Sequence, residues 1–178
     1  MGGKTGKQIG EQPGLYAGAL SQLARGQGWV YKPADKLHRS TQDVLLEDEL
    51  RAALIRLNPE IAEQPDRADE VLYRLRAVLL SVKSDGLVRA NEEFTTWLRG
   101  ERSMPFGPNH EHTSVQLIDF ENIGNNQCIL TNQVIFQAGS QTRRFDLVLF
   151  VNGIPLVIGE AKTPTRPAIS WVDGAVQV

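Results

Sequence analysis

The sequence predicts an α/β domain built on a mixed central β-sheet flanked by helices. Three observations predict it. Up to about residue 100 apolar residues recur at helical spacing, and after it short β-branched runs are separated by Asn and Gly clusters. The runs DLVLFV (146–151) and PLVIG (155–159) are apolar at odd and even positions alike, so both faces of their sheet are expected to be covered. A chain of 178 residues, 41% of them hydrophobic, also suffices for one sizeable core.

LYAGALSQLARG puts Leu15, Ala19, Leu20 and Leu23 on one face and stops at Gly26, which predicts a first helix over about 12–25. A polar loop follows Gly28-Trp29. The second helix is expected over 41–57, with Val44, Leu45, Ala52, Leu54 and Ile55 inward and an end at Asn58-Pro59. The third spans 67–82 and turns Val71, Leu72, Leu75, Val78 and Leu79 inward. ANEEFTTWLRGE suggests a fourth, with Asn91 as its cap, Phe94, Trp97 and Leu98 packed, and Gly100 as its stop. After the loop MPFGPNHEH, four strands are expected in SVQLIDF, NQCILTNQVIFQ, RRFDLVLFV and IPLVIGEAK, and RPAISWVDGAVQV opens one more helix. Residues 1–10 read as a disordered or artificially added N-terminus, and 11–178 as one domain with a helical part (11–105) and a sheet part (106–178).

Composition excludes some functions. A net charge of −2 announces no polyanion partner, so nucleic acid would need a local basic face. Cys128 is the only cysteine, which rules out an internal disulfide and, in its apolar setting, reads as a buried, inert thiol. No apolar run is long enough to span a bilayer, and the expectation is a soluble, cytoplasmic domain with no membrane partner. Gly3-Lys4-Thr5 lacks the earlier glycine of a phosphate loop. His38, His110 and His112 read as solvated loop residues, and Asn122, Asn125 and Asn126 as turn residues.

The informative stretch is RRFDLVLFVNGIPLVIGEAK, where Asp146, Glu160 and Lys162 stand at the ends of two apolar runs. Such groups are costly to bury without partners, so they form either a structural ion cluster or a site. A two-residue turn at Asn152-Gly153 makes paired residue numbers add to an odd total, which separates Asp146 and Glu160 onto opposite faces. A three-residue loop from Val151 to Gly153 pairs Phe150 with Ile154, makes the total even, and gathers Asp146, Glu160 and Lys162 on one face. A functional site therefore predicts the bulged, three-residue hairpin.

On one face, two carboxylates suit Mg²⁺ or Mn²⁺, held by Asp146, Glu160 and the backbone carbonyl of Ala161. Lys162 is then placed to orient a water or to stabilise charge building on phosphorus. With 21 acidic residues and six lysines, about 0.7 acid-x-Lys matches arise by chance. The match at Glu160 is the only one, and it ends a strand whose neighbour begins with an aspartate.

An Asp opening one strand and Glu-x-Lys closing the next resembles the PD-(D/E)XK nucleases. FDLVLFVNGIPLVIGEAK, with NEEFTTWLRGE and IDFENIGNNQCILTNQ, more narrowly resembles the N-terminal nuclease domain of the restriction (R) subunit of type I restriction-modification enzymes. The resemblance implies a restriction-endonuclease-like fold, with Asp146 and Glu160 as metal-binding acids and Lys162 as catalytic lysine. It implies that Gln177 opens a Gln-x-x-x-Tyr motif completed past Val178, and that a first-helix glutamate, for which Glu11 is the candidate, can join the site. Arg144, Arg166 and their neighbour Arg143 are candidates for DNA phosphates. Implied partners are double-stranded DNA and the modification and specificity subunits, with ATP used by a translocase beyond this domain. The rival reading is a non-catalytic module that docks to DNA or the motor, its acid-lysine cluster structural.

Overall fold

The computed structural model describes residues 13–160, with side chains from Ala19 onward. Helix α1 (Pro13–Gly26) is where the spacing put it, but its inward face is different. Ala24 is buried, whereas Ala19 is exposed and Leu23 is 56% exposed. A two-residue strand, β1 (Val30–Tyr31), follows where only a loop was expected.

The second helix, α2 (Glu47–Leu57), starts six residues later than its apolar pattern suggested. Leu46 precedes it with non-helical backbone, φ −87° and ψ 90°, and the consecutive residues Leu45 and Leu46 enter two different cores. Glu47, Asp48 and Glu49 fill the first turn, where the helix dipole favours anions, and Glu49 pairs with Lys32.

Asn58 ends α2, and Pro59, whose missing N–H costs nothing at a helix start, opens the short α3 (Pro59–Glu63). Helix α4 (Arg67–Leu80) buries Ala68, Val71, Leu72 and Leu75. It is tied to α2 by Arg51–Asp69 at 2.8 Å and by Arg76–Glu47.

A turn of helix, α5 (Val82–Asp85), leads to Gly86, whose φ of +85° breaks the chain direction ahead of α6 (Leu87–Leu98). Asn91 is thus inside α6 and caps nothing, contrary to the sequence expectation. Trp97 is buried, and Gly100, at φ +68°, ends the helix as its position suggested.

SVQLIDF is not a sheet strand. Only Ser114 belongs to a strand, in β3 (Thr113–Ser114), which pairs with β2 (Ser103–Met104) as a small separate ribbon. Among the described residues the main sheet has the order β1, β4 (Cys128–Ala138), β5 (Gln141–Val151), β6 (Ile154–Gly159). It is mixed, because β1 runs parallel to β4 while β4, β5 and β6 are antiparallel.

One core gathers Leu50, Leu54, Ile61, Val71, Leu75, Trp97 and Leu117. The sheet enters it through Val151 and Ile154, the pair that closes the last hairpin. The other core packs Leu37 and Leu46 on Ile129, Val134, Val148 and Phe150. At the edge strand β6, Leu156, Val157 and Ile158 are 43%, 54% and 41% exposed with respect to the described residues. Cys128 is half-buried, and burial pushes its thiol up from the ordinary value, in line with an inert group. No helix among the described residues is long and apolar enough to cross a membrane.

Candidate active site

The turn between β5 and β6 has two residues, not three. Val151 pairs with Ile154 and Phe150 with Pro155, and both Asn152 (φ 50°) and Gly153 (φ 80°) are left-handed, as the tight hairpin turn requires. The three-residue loop fails because Asn152 is fully built in. Its side chain donates to the Leu117 carbonyl (2.9 Å) and Asn126 Oδ1 (2.8 Å), and accepts from Gln127 N–H (2.8 Å) and Arg56 (3.0 Å). Gly153 is equally fixed, since its carbonyl accepts the Leu46 N–H at 2.8 Å.

One step farther from the turn the register changes. Leu149 pairs with Val157, so Leu156 is an extra, bulged residue on β6 beside Pro155. Below the bulge, paired numbers add to an even total, through Val148–Ile158 to Leu147–Gly159. Continued by one residue, this register sets Asp146 across from Glu160. The even register required by a shared face is therefore present, but a bulge in the strand supplies it rather than a longer loop.

Asp146 is half-buried, and Gln133 Nε2 donates to its Oδ1 at 3.0 Å. Gln133 lies opposite Asp146 between the pairs Asn132–Leu147 and Val134–Phe145, and has φ +54° inside a strand. The side-chain alternation of both strands changes at this level. The core beside Phe150 takes Ile129 before Gln133 but Val134 and Phe136 after it, and on β5 takes Phe145 as well as Val148.

Beyond Asp146 the β4–β5 ribbon continues to Ala138–Gln141 and carries Arg143 and Arg144, both exposed. Its base is braced by Arg39, whose guanidinium lies 4.2 Å from the Phe136 ring centroid and donates to the Ile135 carbonyl at 3.1 Å. Burial holds Arg39 below its ordinary pKa, against the opposing pull of Asp43.

At the other end of the hairpin stands a network that the sequence shows only as turn residues. The Asp119 carboxylate accepts the Asn122 N–H (2.8 Å), the Asn125 amide (2.8 Å) and the Glu121 N–H (3.0 Å), which hold its carboxyl below the usual range. Asn126 Oδ1 accepts the Asp119 N–H at 2.8 Å and passes the network to Asn152. This network builds the hairpin base rather than a site.

Of the sequence candidates, Asp146, Glu160, Arg143 and Arg144 are described, while Glu11, Ala161, Lys162, Arg166 and Gln177 lie outside the described residues. His38 meets Asp48 at 3.5 Å and His112 meets Ser103 at 3.2 Å, both exposed. No group of three or more His, Cys, Asp or Glu suited to a metal occurs among the described residues. Two hard oxygen acids at the hairpin's open end are what those residues offer a cation. Gln133 was missed from sequence, although the polar pair Asn132-Gln133 interrupting ILTNQVIF was a signal that this strand does more than pack.

Comparison with known proteins bears on the same region. The profile of the family described as Type I restriction enzyme R protein N terminus matches residues 17–178. The Type I restriction enzyme HindI endonuclease subunit of Haemophilus influenzae is 32% identical over 82% of the chain. The Putative type I restriction enzyme MjaIXP endonuclease subunit of Methanocaldococcus jannaschii is 28% identical, also over 82%. The chain spans 14% of the length of each. No solved structure matches it. On the profile match across nearly its whole length, the chain belongs to the family of N-terminal regions of type I restriction enzyme R proteins.

Proposed function

We propose that this chain is the DNA-cleaving domain of a type I restriction R subunit, hydrolysing phosphodiester bonds of double-stranded DNA with Mg²⁺ or Mn²⁺. The observation that carries this reading is the bulge at Leu156, which gives the hairpin an even register as far as Leu147–Gly159, the pair next to Asp146 and Glu160. The donor chemistry fits, because paired carboxylates with no thiol or imidazole suit a hard, water-retaining cation.

Asp146, Glu160 and the carbonyl of Ala161 would hold the ion, which when bound supplies Lewis-acid charge at a phosphate oxygen and acidifies a water. Lys162 follows Glu160 by two positions, and its ammonium can hold the attacking water in line or offset charge on the phosphate. Arg144, with Arg143 beside it, meets phosphates from the exposed ribbon, and Arg166 and Gln177 act from beyond the strand end. The modification and specificity subunits are the partners in this reading, and ATP-driven translocation belongs to the rest of the R polypeptide.

The test is plasmid cleavage by the assembled enzyme carrying Asp146→Ala, Glu160→Ala or Lys162→Ala in its R subunit. Each substitution is expected to lower cleavage at least 100-fold while DNA-dependent ATP hydrolysis stays near the unmutated rate. Unchanged cleavage in all three would make the domain a docking module instead.

A further inference from the structure

We infer that Gln133 is a positioning residue that sets the orientation of the Asp146 carboxylate for a divalent cation. The inference rests on the reading of Asp146 as a metal-holding acid. Gln133 belongs to β4 and faces Asp146 across the β4–β5 ladder, and its amide nitrogen is 3.0 Å from Oδ1.

The backbone makes the side chain informative. A left-handed φ of +54° costs a residue with a Cβ, and glycine adopts it freely. Gln133 is exposed, so core packing does not explain why a long side chain occupies this position. The contact to Asp146 does explain it, because the side chain is held at the one level where both strands change their alternation.

The chemistry of the donor also fits. An amide fixes one carboxylate oxygen without adding positive charge, so it orders the acid without itself neutralising it. A lysine or arginine in its place would compete with the metal. Donors that orient a ligating carboxylate typically matter 10- to 100-fold in metal affinity.

Two variants separate the side chain from the backbone. Gln133→Met keeps length and backbone but removes the donor, and Gln133→Gly removes the donor and relieves the left-handed residue. Mn²⁺ is titrated calorimetrically into the chain, with thermal unfolding recorded on the same samples and Asp146→Ala as reference. We expect Mn²⁺ binding to weaken about 10-fold or more in both variants, while the thermal midpoint holds for Met and holds or rises for Gly.

A merely structural Gln133 would move the midpoint and leave the affinity alone. Unchanged Mn²⁺ affinity in both variants, with binding lost in Asp146→Ala, overturns the positioning role and leaves the metal site standing. If the unmutated chain binds no Mn²⁺, or Asp146→Ala binds it equally well, the reading of Asp146 falls and the role of Gln133 falls with it.

Discussion

Gly153 and Leu46 touch backbone to backbone. The Leu46 N–H reaches the Gly153 carbonyl at 2.8 Å, and a Cβ on Gly153 would lie 2.3 Å from the Leu46 carbonyl oxygen. The start of α2 is therefore seated on the tip of the β5–β6 hairpin.

Gly153→Ala should be costly for two reasons. A left-handed alanine costs about 1–2 kcal/mol, and forcing apart a packed contact adds about 1–3 kcal/mol. Urea denaturation is expected to show a loss of about 3 kcal/mol with an unchanged slope. A loss under about 1 kcal/mol would mean that helix and hairpin separate easily.

Asn152→Ala should be as severe. It strands the buried Leu117 carbonyl and the half-buried Gln127 N–H, and it takes an acceptor from the exposed Arg56. At about 1–3 kcal/mol for each unsatisfied buried group, a loss of at least about 3 kcal/mol is expected. Equilibrium unfolding of the variant beside Asn152→Gly, which restores the left-handed backbone alone, isolates the hydrogen-bond share.

Thr131→Val should stabilise the protein. The Thr131 hydroxyl is fully buried across from Val148 and meets no hydrogen-bond partner among the described residues. An isostere without the hydroxyl removes its desolvation penalty, about 1 kcal/mol. The check is a rise in thermal midpoint, and a fall would show that the hydroxyl is satisfied in solution.

Removing Leu156 should leave the candidate acids level with each other. It deletes only the extra residue, so Val157 follows Pro155 in regular pairing and the pairs Leu149–Val157 to Leu147–Gly159, which lead toward Asp146 and Glu160, are kept. Circular dichroism is expected to stay native-like and Mn²⁺ binding to persist. Binding lost without unfolding would show that the local twist of the bulge, and not the register alone, sets the two acids.

Acid stability should depend on Asp119. Hydrogen bonds from the Asn122 N–H first, then the Asn125 amide and Glu121 N–H, hold its carboxyl below the ordinary value. A lowered carboxyl stabilises the fold above its unfolded pKa of about 3.9, and that contribution disappears as pH falls through the lowered value. Thermal midpoints between pH 6 and 3 should therefore fall less steeply for Asp119→Asn, from a lower starting point. Parallel curves for the two proteins would contradict the assignment.

What the sequence showed and what it hid divide along physical lines. Helices α4 and α6 were legible from their helical period, and strands β4, β5 and β6 from β-branched, apolar runs bounded by Gly or Asn. Strand β1 was not, since two residues carry no period and are strand only through pairing with Ile129 and Leu130. SVQLIDF was misread because an apolar run looks alike whether it pairs or only fills a core, as Val115 and Leu117 do.

Within the candidate site, the need for an even register was legible in the positions of Asp146 and Glu160. How the chain achieves it was not, since a turn's sequence does not report the side-chain bonds that lock Asn152. Nor did it show Gln133, whose backbone sign is a tertiary outcome.

Mechanically, the last hairpin is a beam clamped at one end. Asn152 and Gly153 fix the clamp, whereas Asp146 lies six residues away, about 20 Å along the strand at about 3.4 Å per residue. Deflection grows with distance from a clamp, so the acids stand where the turn itself holds position least well. The β4–β5 ladder, and within it the Gln133–Asp146 bond, is a second support at that distance, and it is there that lost stiffness would show first.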